Sequence, residues 1–265
     1  MRAVVITSRG GPEVLQVQDV EDPVVGDDEV LIKVEATALN RADTVQRKGL
    51  YTPPKGASPY PGLECSGTVL TVGKSVALWK VGDQVHGGSS GIGTFAIQIA
   101  KHLGIRVFVT AGSEEKLAAC KNLGADVCIN YKTEDFVARV KEETGGKGVD
   151  VILDNVGGPY LQKNLDSLGM DGRLFIIGFM GGAATEVNLS CLLARRLTVQ
   201  AAGLRNRSLE NKAKIVAEVK KHVWPAIAAG KVKPIVYKAF PLSEAAEAHR
   251  LMEGSSHVGK ILLIP

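Results

Sequence analysis

The run His86-Gly-Gly-Ser-Ser-Gly-Ile-Gly93, followed at once by FAIQIAKHLG, holds the residues best suited to chemistry. Glycines in such a loop let the backbone turn sharply and approach an anion closely. The helix behind it offers unpaired N–H groups and the positive end of its dipole. The chemistry indicated is pyrophosphate binding, with Gly88, Ser89, Ser90, Gly91, Ile92 and Gly93 as the contacts. A tight turn alone also uses glycine, but the strand and helix runs that follow favour a dinucleotide. Roughly twenty residues past such a loop, an NAD site carries an acid for the ribose 2′-hydroxyl. Here Thr110-Ala-Gly-Ser113 stands there, then Glu114, Glu115 and Lys116. Gly112 and Ser113 leave room, Ser113 is able to hydrogen-bond a 2′-phosphate, and Lys116 is able to pair with it, which points to NADPH. Ser113 also suits a helix N-cap, and the two glutamates suit the first turn behind it.

The elements that position these residues show in the periodicity. After His86, RVFVTA precedes EEKLAACKNLG, DVCINY precedes TEDFVARVKEETGG, and VDVILDNVGG precedes PYLQKNLDSL. Near-continuous apolar strands alternating with amphipathic helices predict βαβ units around a buried parallel sheet. Before His86 the chain reads as β-rich: RAVVITS, EVLQVQDV and DEVLIKVEATAL are short runs between Gly, Pro and Asp turns. Toward the end, 209–229 reads as helix with Pro225 breaking it, Ser243 is placed to cap EAAEAHRLME, and KILLIP closes the chain as a strand.

Composition narrows the class. The chain has 265 residues, 45% hydrophobic and 23% charged, with a net charge of +4. Basic residues form no stripe of the kind a nucleic-acid binder concentrates, so no nucleic-acid partner is expected. No apolar run approaches the roughly 20 residues a membrane helix needs, and the N-terminus has no leader pattern. A soluble cytoplasmic protein is expected. Cys65, Cys120, Cys128 and Cys191 lack CxxC spacing and read as reduced thiols.

The glycine loop, TAGS with its lysine, and the N-terminal segment together resemble the medium-chain dehydrogenase/reductase superfamily, and within it the zeta-crystallin-like NADPH:quinone oxidoreductases. ALNRAD (38–43), PGLECSG (61–67), WKVGDQV (79–85), LGAD (123–126), INYK (129–132), DGRLFIIGFMGG (171–182) and HVGKILL (257–263) carry the likeness in order. It implies an α/β fold: a Rossmann doubly wound parallel sheet plus a GroES-like β-barrel domain. The barrel part is expected over 1–81, the Rossmann part over 82–256, with a final strand near 257–265 returning to the barrel. It also implies a homodimer that reduces a small quinone or enal with NADPH. By resemblance Asn40 and Tyr51 are the substrate-side residues. Tyr131 flanks the 2′-phosphate or adenine, Gly178, Phe179 and Met180 meet the nicotinamide through their backbone, and Lys260 belongs with the cofactor contacts. Zinc-dependent relatives carry G-H-E where this chain has Gly62-Leu63-Glu64, and leucine cannot ligate a metal. No metal is therefore expected.

One departure stands out. Relatives carry roughly sixty further residues between WKVGDQV and the glycine loop, where this chain runs directly from Val85 to His86. The missing piece includes the first Rossmann strand. Gly82 to His86 is then the one candidate for the strand that feeds the loop, and it is predicted to join the Rossmann sheet and leave the barrel incomplete. Impaired turnover follows, and a non-catalytic NADPH-binding or dimerising isoform is the alternative. A short-chain dehydrogenase reading fails because Tyr160 and Lys163 lack the i, i+4 spacing that its catalytic pair needs.

Overall fold

The computed structural model describes residues 1–86 and 91–265. They form two compact units, one of residues Met1–Ile99 with Ile227–Pro265, the other of Ala100–Ala226. The first begins with an antiparallel hairpin of β1 (Arg2–Ile6) and β2 (Leu15–Asp19). β3 (Val30–Ala38), α1 (Arg41–Arg47), β4 (Cys65–Val72) and β5 (Gln84–His86) follow. Helix α2 (Ile92–His102) then runs across the boundary between the units.

The second unit repeats strand and helix. β6 (Phe108–Ala111), α3 (Glu114–Asn122) and β7 (Val127–Asn130) make one parallel pair with its crossover helix. Then come α4 (Phe136–Glu143), β8 (Val149–Asp154), α5 (Leu161–Ser167), β9 (Leu168–Ile176), α6 (Ser190–Arg195) and β10 (Thr198–Ala201). β8, β9 and β10 form a second parallel sheet in the order β10-β9-β8. Each sheet has its own core: Val127, Ile129, Phe136 and Val140 beneath one, Leu165, Leu168 and Leu174 beneath the other. α7 (Leu209–His222) and α8 (Trp224–Ala228) end the unit, and the helix breaks at Val223, just before Pro225.

The chain then returns to the first unit. β11 (Val236–Pro241), α9 (Ala245–Gly254) and β12 (Lys260–Ile264) form a parallel βαβ turn. β12 pairs antiparallel with β3, matching Leu262 to Ala38, so the sheet reads β11-β12-β3-β4-β5. Its core joins both stretches of chain: Val4, Leu15 and Leu39 from the first, Phe240, Met252, Ile261 and Leu263 from the second. Ser243 does not cap α9. It lies inside a 3-10 turn, Leu242–Glu244, and Glu244 takes the cap position without a side-chain bond.

The strand before the glycine loop departs from expectation. Gln84–His86 pairs antiparallel with β4, His86 opposite Ser66 and Gln84 opposite Thr68. It belongs to the β-rich sheet and not to the Rossmann sheet. The reason is local. Gly82 takes a left-handed φ of 90°, and Asp83 accepts the Lys80 N–H at 3.1 Å while pairing with the Lys80 ammonium. That turn aims the chain back along β4, and closing so short a loop costs less entropy than a distant parallel pairing.

The Rossmann sheet is consequently divided. In the order 3-2-1-4-5-6, β7 and β6 supply positions 3 and 2, and β8, β9 and β10 supply 4, 5 and 6. Among the described residues β6 pairs with β7 alone and β8 with β9 alone. Val151 and Leu153 on β8 are 46% and 48% exposed, where a central parallel strand would bury them. A bare apolar strand edge invites association. Leu153→Lys is expected to raise the concentration at which light scattering detects aggregates, while stability in urea changes by less than about 0.5 kcal/mol.

Candidate functional site

In the α/β unit the ends of β6 and β7 bring three predicted residues together. Ala111 and Asn130 are paired neighbours at those ends. A Cβ added to Gly112 would meet the Tyr131 hydroxyl at 2.6 Å and the Lys132 side chain at 3.0 Å, so Gly112 is where Tyr131 folds over the strand end. Ser113 caps α3, its hydroxyl accepting from the Lys116 N–H at 3.4 Å. Glu114, the nearest acid, is turned to β7: Asn130 Nδ2 donates to its carboxylate at 2.7 Å. The end of β6 is therefore formed by Gly112 and Ser113, with the Glu114 carboxylate held on Asn130. Tyr131, 43% exposed, stands edge-on to Tyr160 with ring centroids 6.3 Å apart.

The 178–181 loop leaves the end of β9 and is held by the turn after β8. Met180 N–H donates to Asn155 and Gly181 N–H to Val156. Asp154 fixes that turn by accepting from the Val156 and Gly157 N–H groups, both at 2.9 Å. Gly157 has φ 85°, and a Cβ there would strike the Phe179 ring at 2.7 Å. Phe179 and Met180 project outward, 55% and 56% exposed. The loop presents its backbone against Asn155, with Gly178 close to the Asn155 carbonyl.

Of the glycine loop, Gly88, Ser89 and Ser90 lie outside the described residues. Gly91 has φ 63°, and its carbonyl accepts from Phe95 N–H and from the Thr94 hydroxyl, which starts α2. Ile92 opens the helix half exposed, and a Cβ on Gly93 would meet nothing within 4 Å.

In the β-rich unit, Asn40 precedes α1. Its amide nitrogen donates to Ala38 O and Glu64 Oε2, both at 3.3 Å. Glu64 forms an ion pair with Lys260, and these side chains are only 7% and 5% exposed. Asp43 completes the group, accepting from Asn40 N–H at 2.8 Å and Gly62 N–H at 3.1 Å. ALNRAD, PGLE and HVGK thus converge on one buried cluster of two carboxylates and one ammonium. Burial raises the Asp43 carboxyl, against the pull of the two N–H donors and Lys260. Burial lowers the Lys260 ammonium, against Glu64 and Asp43. Lys260, expected beside the cofactor, is here engaged with Glu64. Tyr51 stands half-buried in the stretch between α1 and β4. Asp43, Glu64, Arg47 and His249 escaped the sequence reading. The first two sit inside recognised motifs, and an acid three residues past a helix cap was the available signal for Asp43.

A concavity of about 270 Å³ in the α/β unit, lined by Arg106, Lys121, Arg139 and Glu143, is polar, and its arginines are paired with Glu143. Among the described residues no group of three or more His, Cys, Asp or Glu is arranged to hold a metal. No helix among them is long and apolar enough to cross a membrane.

Two family models match in chain order: the alcohol dehydrogenase GroES-like domain over residues 26–133 and zinc-binding dehydrogenase over 91–220. The chain belongs to the medium-chain dehydrogenase/reductase superfamily. Within it the chain is similar to quinone oxidoreductases along its whole length. That of Rattus norvegicus is 28% identical over 328 aligned positions, covering 100% of this chain and 98% of the relative. The crystal structure of Escherichia coli quinone oxidoreductase complexed with NADPH superposes with a TM-score of 0.87 at 28% identity, over 100% of both chains. A 2-haloacrylate reductase from a Burkholderia species is 38% identical over 190 residues, 70% of this chain and 56% of the relative.

Proposed function

We propose that this protein reduces quinones or conjugated carbonyls with NADPH, by direct hydride transfer and without a metal. The observation that carries the reading is the end of β6: Gly112 and Ser113 stand where an NAD-binding acid belongs, and Glu114 is held away by Asn130. When bound, NADPH supplies the hydride. Ser113 and Lys116 receive the 2′-phosphate, with Tyr131 flanking it. The glycine loop of residues 88–93, leading into α2, takes the pyrophosphate. Phe179 and Met180 offer backbone to the nicotinamide. Asn40, oriented by Glu64, and Tyr51 orient the acceptor's carbonyl oxygen. Leu63 offers no ligand where relatives with zinc place histidine. The names of the relatives, a quinone reductase and a reductase of a conjugated acid, support this class of acceptor.

The divided sheet favours a second reading, an NADPH-binding protein that does not turn over. Among the described residues no parallel strand lies beside β6 or β8 to feed the glycine loop, and a misplacement of about 1 Å lowers turnover roughly a hundredfold. The roughly sixty-residue shortfall against relatives, which we place between Val85 and His86, supports the same loss. The deciding measurement is NADPH oxidation with a small quinone beside NADPH binding by fluorescence. Slow turnover, about a hundredfold below the Escherichia coli relative, is the expected result. Binding without turnover would select the second reading, and absence of binding by folded protein would remove both. Lys116→Ala is expected to weaken NADPH about tenfold and leave NADH unchanged, as loss of one charge-assisted hydrogen bond requires.

A further inference from the structure

Helix α3 and strand β7 each place one cysteine at their shared boundary. Along β7, Val127 and Ile129 are buried in a core with Phe136 and Val140 of α4. Side chains alternate along a strand, so Cys128 faces the other side of the sheet, where α3 lies. Its thiol donates to the Leu117 carbonyl of α3 at 3.6 Å. Within a helix, a short polar side chain reaches the carbonyls three and four residues earlier. Leu117 stands three residues before Cys120. One carbonyl is therefore within reach of both thiols.

Both cysteines are free and half-buried. Cys128 also lines the polar concavity of about 270 Å³, beside Arg106 and Lys121, which gives its sulfur a path from solvent. Of the other two cysteines, Cys65 belongs to the β-rich unit, and Cys191 is engaged with the Asn188 carbonyl at 3.2 Å.

We propose that Cys120 and Cys128 are a redox-active dithiol, closed to an intramolecular disulfide by hydrogen peroxide. Peroxide reaches Cys128 through the concavity. The sulfur breaks the O–O bond and becomes a sulfenic acid, and the other oxygen leaves as water with the thiol proton. The Cys120 sulfur then attacks that sulfur. The S–S bond forms, and the sulfenic oxygen leaves as a second water with the Cys120 proton. Two thiols are oxidised by two electrons, and one peroxide is reduced to two waters. Burial pushes both thiols up; the neighbouring Cys128 adds to the rise at Cys120, and Lys121 opposes it at Cys128. Thiols of this kind oxidise slowly and make poor leaving groups, so the bond is slow to form and slow to open. It registers sustained oxidant, not brief exposure.

The bond brings the two sulfurs to about 2.05 Å and ties α3 to β7. Ser113 caps α3, Lys116 lies in its first turn, and Tyr131 follows β7. Those three are the 2′-phosphate contacts proposed above, so closure shifts α3 under them and weakens NADPH. That consequence rests on the NADPH reading; the disulfide does not.

The test uses the full chain carrying Cys65→Ser and Cys191→Ser, dilute, with hydrogen peroxide over hours. Trypsin cuts after Lys121, between the two cysteines, so the bond joins peptides 117–121 and 122–132. The expected result is a monomer lighter by two hydrogens, the joined peptides, and reversal by dithiothreitol. NADPH affinity is expected to fall about tenfold on oxidation, the loss of one charge-assisted hydrogen bond. Phenylarsine oxide, which bridges two neighbouring thiols with loss of water, is expected to add once to the reduced chain and not to a further Cys120→Ser variant. Thiols that remain free, oxygen added to either cysteine without a joined peptide, or bonds formed only between chains would overturn the proposal. A joined peptide with NADPH affinity unmoved would overturn the coupling to the cofactor site. If Cys120→Ser does not fold, the peptide map of the intact pair still decides.

Discussion

Replacing Arg47 by methionine is expected to destabilise the β-rich unit by about 3 kcal/mol, the lower end of the range for breaking a buried charged pair. Arg47 is fully buried. Its three donor positions reach three different parts of the unit: Nε to Gly10 O at 3.1 Å, NH1 to His249 Nδ1 at 3.1 Å and NH2 to Glu253 at 2.9 Å. Methionine keeps the length of the stem but leaves a part-buried carbonyl and a buried ring nitrogen without donors. Glu253 suffers less, since Lys48 also pairs with it and its side chain is 24% exposed. Urea unfolding followed by Trp79 fluorescence in a Trp224→Phe background reads this unit alone, because the two tryptophans belong to different units. A loss below about 1 kcal/mol would mean the hub is no stronger than an ordinary exposed ion pair.

Acid is expected to destabilise the same unit by about 3 kcal/mol, through His249. The imidazole is lowered from 6.5 to about 4 in the folded chain, by burial first and then by Arg47. Above pH 6.5 both folded and unfolded chains hold a neutral ring and the term is absent. Below 6.5 the unfolded chain takes a proton that the folded one refuses, so stability falls as pH falls and levels off below about 4. A shift of this size corresponds to about 3 kcal/mol. Asp43 works in the opposite direction: burial raises its carboxyl, so the folded chain takes up that proton more readily, and stability is regained at pH values just above the ordinary aspartate range. Urea midpoints between pH 7.5 and 4.5 are the measurement, with His249→Phe as the control. A slope unchanged by that substitution would assign the acid loss elsewhere.

Local pattern was readable wherever the physics is local. The alternation of β6, α3, β7 and α4, the break at Pro225 and the cap at Ser113 all rest on contacts a few residues apart. The place of β5 was not readable, because Gln84–His86 suits either sheet and the outcome depends on how the Lys80–Asp83 turn aims the chain. The Arg47–His249 contact joins residues 202 positions apart. An arginine and a histidine on amphipathic helices read as surface, and only packing of α1 near α9 makes them buried partners. Lys260 was singled out through its motif, but its ion pair with Glu64 became visible only when β12 took its place beside β3.

The β-rich unit is assembled from two stretches of chain, with the whole α/β unit encoded between them. During synthesis its first ninety-nine residues emerge well before β12 exists. At roughly 5–20 residues per second, β3 waits on the order of ten to forty-five seconds for the strand that covers its edge, and Glu64 waits nearly as long for Lys260. Val4, Leu15 and Leu39 remain without Phe240, Ile261 and Leu263 through that interval. The continuous α/β unit is under no such delay. On the ribosome the order of maturation is therefore the reverse of the order of emergence, and the nascent N-terminal segment is the part most in need of a holding chaperone.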